Sequence, residues 1–228
     1  MKKVVSFLTA IMVSTSVLAS ESCSKFESKF NENQKRILSH AYAYGKPYGL
    51  EYSMPAIAWE ESSAGEILLN YKDPAAGIYQ SYAVTALKRE NRKVNHANKS
   101  AILLELATDE IKSTAHGLSE LLHWTNTRNS WKDVWASYNG GKDYKERVPK
   151  EYAERIHNRI KQLKKCSYML KVNSIAELNL EVFKMVKELS GQEPKKEILK
   201  AWKNVEKKKS SKKVALNEIE TIDVESKG

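Results

Sequence analysis

Glycine and proline are scarce, at 9 and 5 of 228 residues, which excludes a collagen-like or low-complexity chain. Cysteine is scarcer still. With only two of them, neither a disulfide-dense scaffold nor a four-cysteine zinc site is available. A mean hydropathy of −0.56 excludes a multi-span membrane protein. What remains suits a soluble globular protein, with 41% hydrophobic and 29% charged residues. The length fits one domain of ordinary size with a tail or a small second unit. Lys and Arg number 38 against 28 Asp and Glu, a formal net charge of +10. That excess suits an anionic partner: nucleic acid, a lipid surface or an acidic cell-wall polymer. Composition does not choose among them.

The first residues narrow the choice. Lys2 and Lys3 make a basic start, Val4 to Leu18 is apolar apart from a few hydroxyl residues, and Val17 and Ala19 supply small residues at a cleavage point. That is the layout of a secretory signal peptide over residues 1–19. An uncleaved N-terminal anchor is the alternative, which the hydroxyls at Ser14 to Ser16 disfavour by diluting the apolar run. Ser20-Glu21-Ser22 before Cys23 does not fit a lipoprotein cleavage site. Export predicts a periplasmic or secreted protein and removes Lys2 and Lys3, lowering the formal charge from +10 to +8. Nucleic acid is then not an expected partner. In an oxidising compartment Cys23 and Cys166 can form a lasting disulfide, with two free thiols as the alternative. In the chain-entropy model a loop that long contributes about 3–5 kcal/mol.

The rest of the chain reads as mainly α. Asn31 is a candidate cap for a helix carrying Ile37, Leu38, Ala41 and Tyr42 and ending near Gly45 and Pro47. Ser53 is a candidate cap for a helix from Met54 to about Ser62, with Pro55 tolerated in its first turn. A loop around Asn70 to Gly77 follows. Helical spacing resumes over Ser81–Leu87, Ile102–Leu106, Ile111–Trp124, Trp131–Tyr138 and Pro149–Leu163. No alternating stretch is long enough for a substantial sheet. Beyond Cys166 the stretches Ile175–Leu189 and Glu197–Val205 are amphipathic. Lys203 to Lys213 then holds six lysines against the single Glu206. That run reads as a solvated segment, or as a means of electrostatic attachment to an anionic surface or an envelope-spanning assembly.

One carboxylate stands out. Met54, Ile57, Ala58 and Glu61 follow i, i+3, i+4, i+7, which puts Glu61 on an apolar stripe and Glu60 one step round from it. A carboxylate held against apolar neighbours loses solvation and keeps its proton toward neutral pH, as a general acid must. A half-exposed glutamate at a fraying helix end is the competing reading.

The order of short motifs goes further. Glu61-Ser62 is followed by Gly77-Ile78-Tyr79-Gln80, then by Ala136-Ser137-Tyr138-Asn139-Gly140-Gly141, then by Tyr152 in a basic helix. This order, over about Asn31 to Leu163, resembles the soluble lytic transglycosylase family, with its Glu-Ser pair, Gly-Leu-Met-Gln loop and Ala-Tyr-Asn-Ala-Gly motif. Departures fall at Ile78-Tyr79, at Ser81, at Ser137 and Gly140, and at Ser63-Ala64-Gly65, where the family usually has Asn-Pro after Glu-Ser. The resemblance implies a lysozyme-like transglycosylase domain over 20–166 and a basic helical or flexible C-terminal extension over 167–228.

It also implies an activity. The expected reaction is cleavage of the β-1,4 bond between N-acetylmuramic acid and N-acetylglucosamine in peptidoglycan, ending in a 1,6-anhydromuramyl product. Glu61 acts first as acid and then as base, and no metal or other cofactor is called for. Ser62, Gln80, Tyr138, Asn139 and Tyr152 are expected to line the cleft, and Tyr79 either stacks on a sugar or packs in the core. Asp73, between Glu61 and Gln80, either starts a turn with Pro74 or holds a water opposite Glu61. The second role would make a hydrolase of the goose-type lysozyme kind. A non-catalytic wall-binding or assembly protein on the same scaffold is a further alternative.

Two other constellations are weaker. His116, Glu120 and His123 fall at i, i+4, i+7 but lack the His-Glu-x-x-His spacing of a zinc site. Asn139-Gly140-Gly141-Lys142 lacks the spacing and terminal Ser or Thr of a phosphate loop. Trp124, Trp131 and Trp135 read as core or groove-wall residues.

Overall fold

The computed structural model describes residues 23–70, 72–172, 178–197 and 200. The signal-peptide assignment and the lysine run lie outside them. After a short helical stretch at 23–27 the chain forms α1 (Glu32–Gly45), α2 (Ser53–Ser62), β1 (Leu69–Asn70), β2 (Ala75–Ala76), β3 (Ser81–Tyr82) and α3 (Ala83–Arg89). It continues through α4 (His96–Thr108), α5 (Glu110–Thr125), α6 (Trp131–Gly140), α7 (Arg147–Lys165) and α8 (Glu181–Ser190). The fold is therefore mainly α with one small antiparallel sheet in the order β1-β2-β3. Its register pairs Asn70 with Ala75 and Ala75 with Tyr82.

Local chemistry sets the helix ends. The Asn31 side chain accepts from the Gln34 N–H while the Gln34 side chain accepts from the Asn31 N–H, a reciprocal cap that starts α1. Ser53 does not cap α2. It lies inside the first turn, and its hydroxyl accepts from the Trp135 indole N–H at 3.1 Å. The helix ends where Ser63, Ala64 and Gly65 take φ of 51°, 56° and 90° in succession. A left-handed alanine costs of order 1 kcal/mol, so the buried Ala64 is held there by its surroundings. Its N–H donates to Ala58 at 2.9 Å.

The main core gathers Met54, Ile57 and Ala58 of α2, Ala115, Leu118 and Leu121 of α5, and Tyr152, Ile156 and Leu163 of α7. A smaller cluster of Ala76, Ala83, Leu87, Ile102 and Leu106 joins the sheet to α3 and α4. The main core also continues past 166, where the extension was expected to begin. Leu178, Val182, Phe183 and Val186 are buried in it, α8 packs on α5, and the Asn179 N–H donates to the Tyr44 hydroxyl at 2.8 Å. The stripe of α8 is apolar enough to be drawn into the core, and the Lys195 N–H adds a bond to the Pro47 carbonyl at 3.1 Å.

Cys23 and Cys166 form a disulfide with their Cα atoms 5.4 Å apart, fastening the described N-terminus to the end of α7. Such a bridge is consistent with an oxidising compartment outside the cytoplasm. Among the described residues no helix is long and apolar enough to cross a membrane.

Candidate active site

Glu61 is half-buried in the last turn of α2 and accepts a 2.6 Å hydrogen bond from the Tyr152 hydroxyl. Burial pushes its carboxyl up to about 7. The Tyr152 bond opposes that rise, the charge of Glu60 adds to it, and Arg155 opposes it again. A group with that value is protonated in a sizeable fraction of molecules at neutral pH and can both give and take a proton.

The loop after the sheet is set by contacts behind it. Gly77 has φ of 84°, and a Cβ there would fall 2.3 Å from Ser113 Oγ and 2.6 Å from the Leu106 carbonyl, so only glycine fits. Ser113 in turn accepts from the Ile78 N–H at 2.8 Å. Gln80 has φ of 45°; its amide nitrogen donates to Ile67 and Gly77, both at 3.0 Å, while its Oε1 is buried with no partner. From α6, the Tyr138 hydroxyl donates to the Tyr79 carbonyl at 2.9 Å. Burial, with Glu61 next, drives the Tyr138 phenol well above its usual range, so it stays a donor.

Glu61, Gln80, Tyr138 and the exposed Asn139 share a cleft of about 520 Å³. Asp73 lines it too, exposed on the loop between β1 and β2. Three of the expected cleft residues sit behind its surface instead. Ser62 is 1% exposed; its hydroxyl donates to the Ile78 carbonyl at 2.7 Å and accepts from the Gly65 N–H at 2.9 Å. It braces the loop against α2. Tyr79 is also 1% exposed, because its ring fills the gap at Gly117, where a Cβ would stand 2.4 Å from Cγ. That ring packs in the core and cannot stack on a sugar. Tyr152, 2% exposed, supports Glu61 from below and does not line the cleft wall.

The far wall holds groups that the motif order did not single out. Arg89 of α3 is paired with Glu120 of α5, which also accepts from the Trp124 indole N–H. Outside the cleft lining, the Arg128 guanidinium lies 4.8 Å from the Trp124 ring and 4.2 Å from the Tyr144 ring, and its Nε donates to Ser137 Oγ at 2.7 Å. Tyr82, 48% exposed, stands at the lip. Its pairing opposite Ala75, which on its other side pairs with Asn70, was not legible without the sheet register. Trp135 is buried, with Trp131 stacked on it at 6.0 Å.

His116, Glu120 and His123 do not converge. His116 Nε2 meets Glu90 at 2.9 Å, Glu120 is engaged by Arg89, and the His123 ring lies edge-on to Trp124. Among the described residues no group of three side chains is arranged to hold a metal. Comparison with protein-family models, curated proteins and solved structures finds no match to this chain.

Proposed function

We propose that this protein is a peptidoglycan lytic transglycosylase with a lysozyme-like catalytic domain, acting in the periplasm or after secretion. The observation that carries the proposal is the half-buried Glu61 carboxyl, bonded to Tyr152 and opening on one cleft with Gln80, Tyr138 and Asn139; burial raises its pKa to about 7. The motif order that resembles the family supports the same reading. Peptidoglycan strands, with their acidic peptide stems, suit a basic protein.

Glu61 protonates the glycosidic oxygen, and the bond from that oxygen to carbon 1 of the muramyl residue breaks. The substrate's acetamido group stabilises the developing positive charge, so no protein nucleophile is needed. Glu61, now a carboxylate, takes the proton from the muramyl 6-hydroxyl as that oxygen bonds to carbon 1. Water is neither consumed nor released. Tyr152 holds the carboxyl in place through both transfers. The exposed Asn139 amide offers polar contacts to the sugar.

A second reading rests on Asp73, which lines the same cleft. If it activates a water opposite Glu61, the product is a hydrolysed reducing end. Mass spectrometry of digested peptidoglycan tests both. Muropeptides lighter by one water support transglycosylation, reducing ends support hydrolysis, and no release at all would leave a wall-binding or assembly role. A Glu61→Gln variant that still forms anhydro products at the wild-type rate would exclude Glu61 as the acid.

A further inference from the structure

Three consecutive residues at the end of α2 are each held by one face of α7. Tyr152, Arg155 and Arg159 fall at i, i+3 and i+7 along that helix and so share a side. Arg159 lies 4.1 Å over the Trp59 ring and donates from Nε to Glu60 at 2.6 Å. Arg155 donates from Nε to the other Glu60 oxygen, also at 2.6 Å, with its guanidinium 5.7 Å from the Tyr152 ring. Tyr152 completes the set by donating to Glu61. The Glu60 side chain is only 12% exposed and is held by both guanidiniums, Arg159 the more covered and Arg155 half-exposed.

Two adjacent carboxylates in the last turn of a helix are in an unfavourable place. The C-terminal end of the helix dipole repels both, and the two like charges repel each other. The paired guanidiniums offset that repulsion. We propose that Glu60 and Arg155 are a matched pair of positioning residues that hold Tyr152 beneath Glu61 and place one negative and one positive charge beside it. The Glu60 charge acts to raise the Glu61 carboxyl and the Arg155 charge acts to lower it. Tyr152 of α7 and Tyr138 of α6 also face Glu61, and Asp73, Arg89 and Glu120 line the rest of the cleft. All five stay unchanged in the variants below.

The inference shares Glu61 with the proposed function, but its test needs no turnover. Carbon-13 NMR of the glutamate carboxyls in the full chain follows the Glu61 titration directly, with its resonance assigned by loss in Glu61→Gln. Glu60→Gln lowers the Glu61 midpoint and Arg155→Met raises it, each by about half a pH unit. Arg155→Lys, which keeps the charge, stays nearer the wild type than Arg155→Met does. Shifts in the same direction, no resolvable shift, or a Lys variant that moves as far as the Met variant each overturn the proposal. If opposed shifts appear in a protein that releases no glycan, the functional reading fails and this one stands.

Discussion

The Tyr138 hydroxyl and the Tyr79 carbonyl, 59 positions apart in sequence, are joined by a 2.9 Å hydrogen bond that fixes the Gln80 loop to the helix carrying Asn139. Tyr138→Phe keeps the ring and removes the donor. A buried carbonyl left without a partner costs about 1–3 kcal/mol, so the unfolding free energy falls by that amount and the denaturation midpoint falls with it. On the proposed function, glycan release falls with it, because Gln80 loses its register. Unchanged stability in urea titration would show that the bond contributes nothing.

Glu61 makes stability depend on pH. Its carboxyl titrates near 7 when folded, against a usual value of 4.5. Below 4.5 it is protonated folded and unfolded, and the shift has no cost. As pH climbs toward 7 only the unfolded chain gives up the proton readily, and stability is lost. Glu61→Gln removes that loss. The variant should match the wild type near pH 4 and exceed it by about 1–3 kcal/mol at about pH 8, measured by denaturation at the two pH values. Cleavage by the wild type should decline as pH rises past about 7, because the acid is then deprotonated.

Gly117 of α5 leaves the space that the Tyr79 ring fills. A methyl group there would collide with the Tyr79 ring, whose nearest atom stands 2.4 Å away. Gly117→Ala therefore costs about 1–3 kcal/mol by overpacking, despite the higher helix propensity of alanine. Since Tyr79 is adjacent to Gln80, glycan release should fall beyond what the lost stability explains. A thermal melt and a turnover assay at low temperature separate the two effects.

Phe183 tests whether the C-terminal segment belongs to the domain. Its ring is buried 5.8 Å from Tyr44 and 6.2 Å from Tyr48. Phe183→Ala should cost about 3–5 kcal/mol in a single cooperative transition. A separate early transition, with the main one unmoved, would mean that α8 melts independently.

Helices were the legible part of this chain because periodicity and caps are local. Asn31 with Gln34 is written within a few residues, and the structure follows it; the stripe through Met54, Ile57 and Glu61 is not set apart, because Ser53, Pro55 and Ala56 are buried too and Glu60 is covered as well. What was illegible depends on distant partners. Ser53 looked like a cap, but the indole of Trp135, 82 positions on, uses its hydroxyl. Tyr79 turned inward because the gap that receives it is made by Gly117 on another helix. Strands of two residues are too short to alternate, so the sheet that brings Tyr82 and Asn70 to the cleft left no pattern. Arg155 and Arg159 had the spacing of a common face with Tyr152, yet nothing local said that Glu60 lay opposite.

The bridge between Cys23 and Cys166 spans 143 positions, and these are the only two cysteines in the chain. No incorrect intramolecular pairing exists, so oxidation needs no isomerase to correct it. Its two ends lie at the start of the described chain and just past α7, so one covalent loop encloses every residue that lines the cleft. Reduction opens that loop without touching a cleft contact, and its chief effect should be on stability.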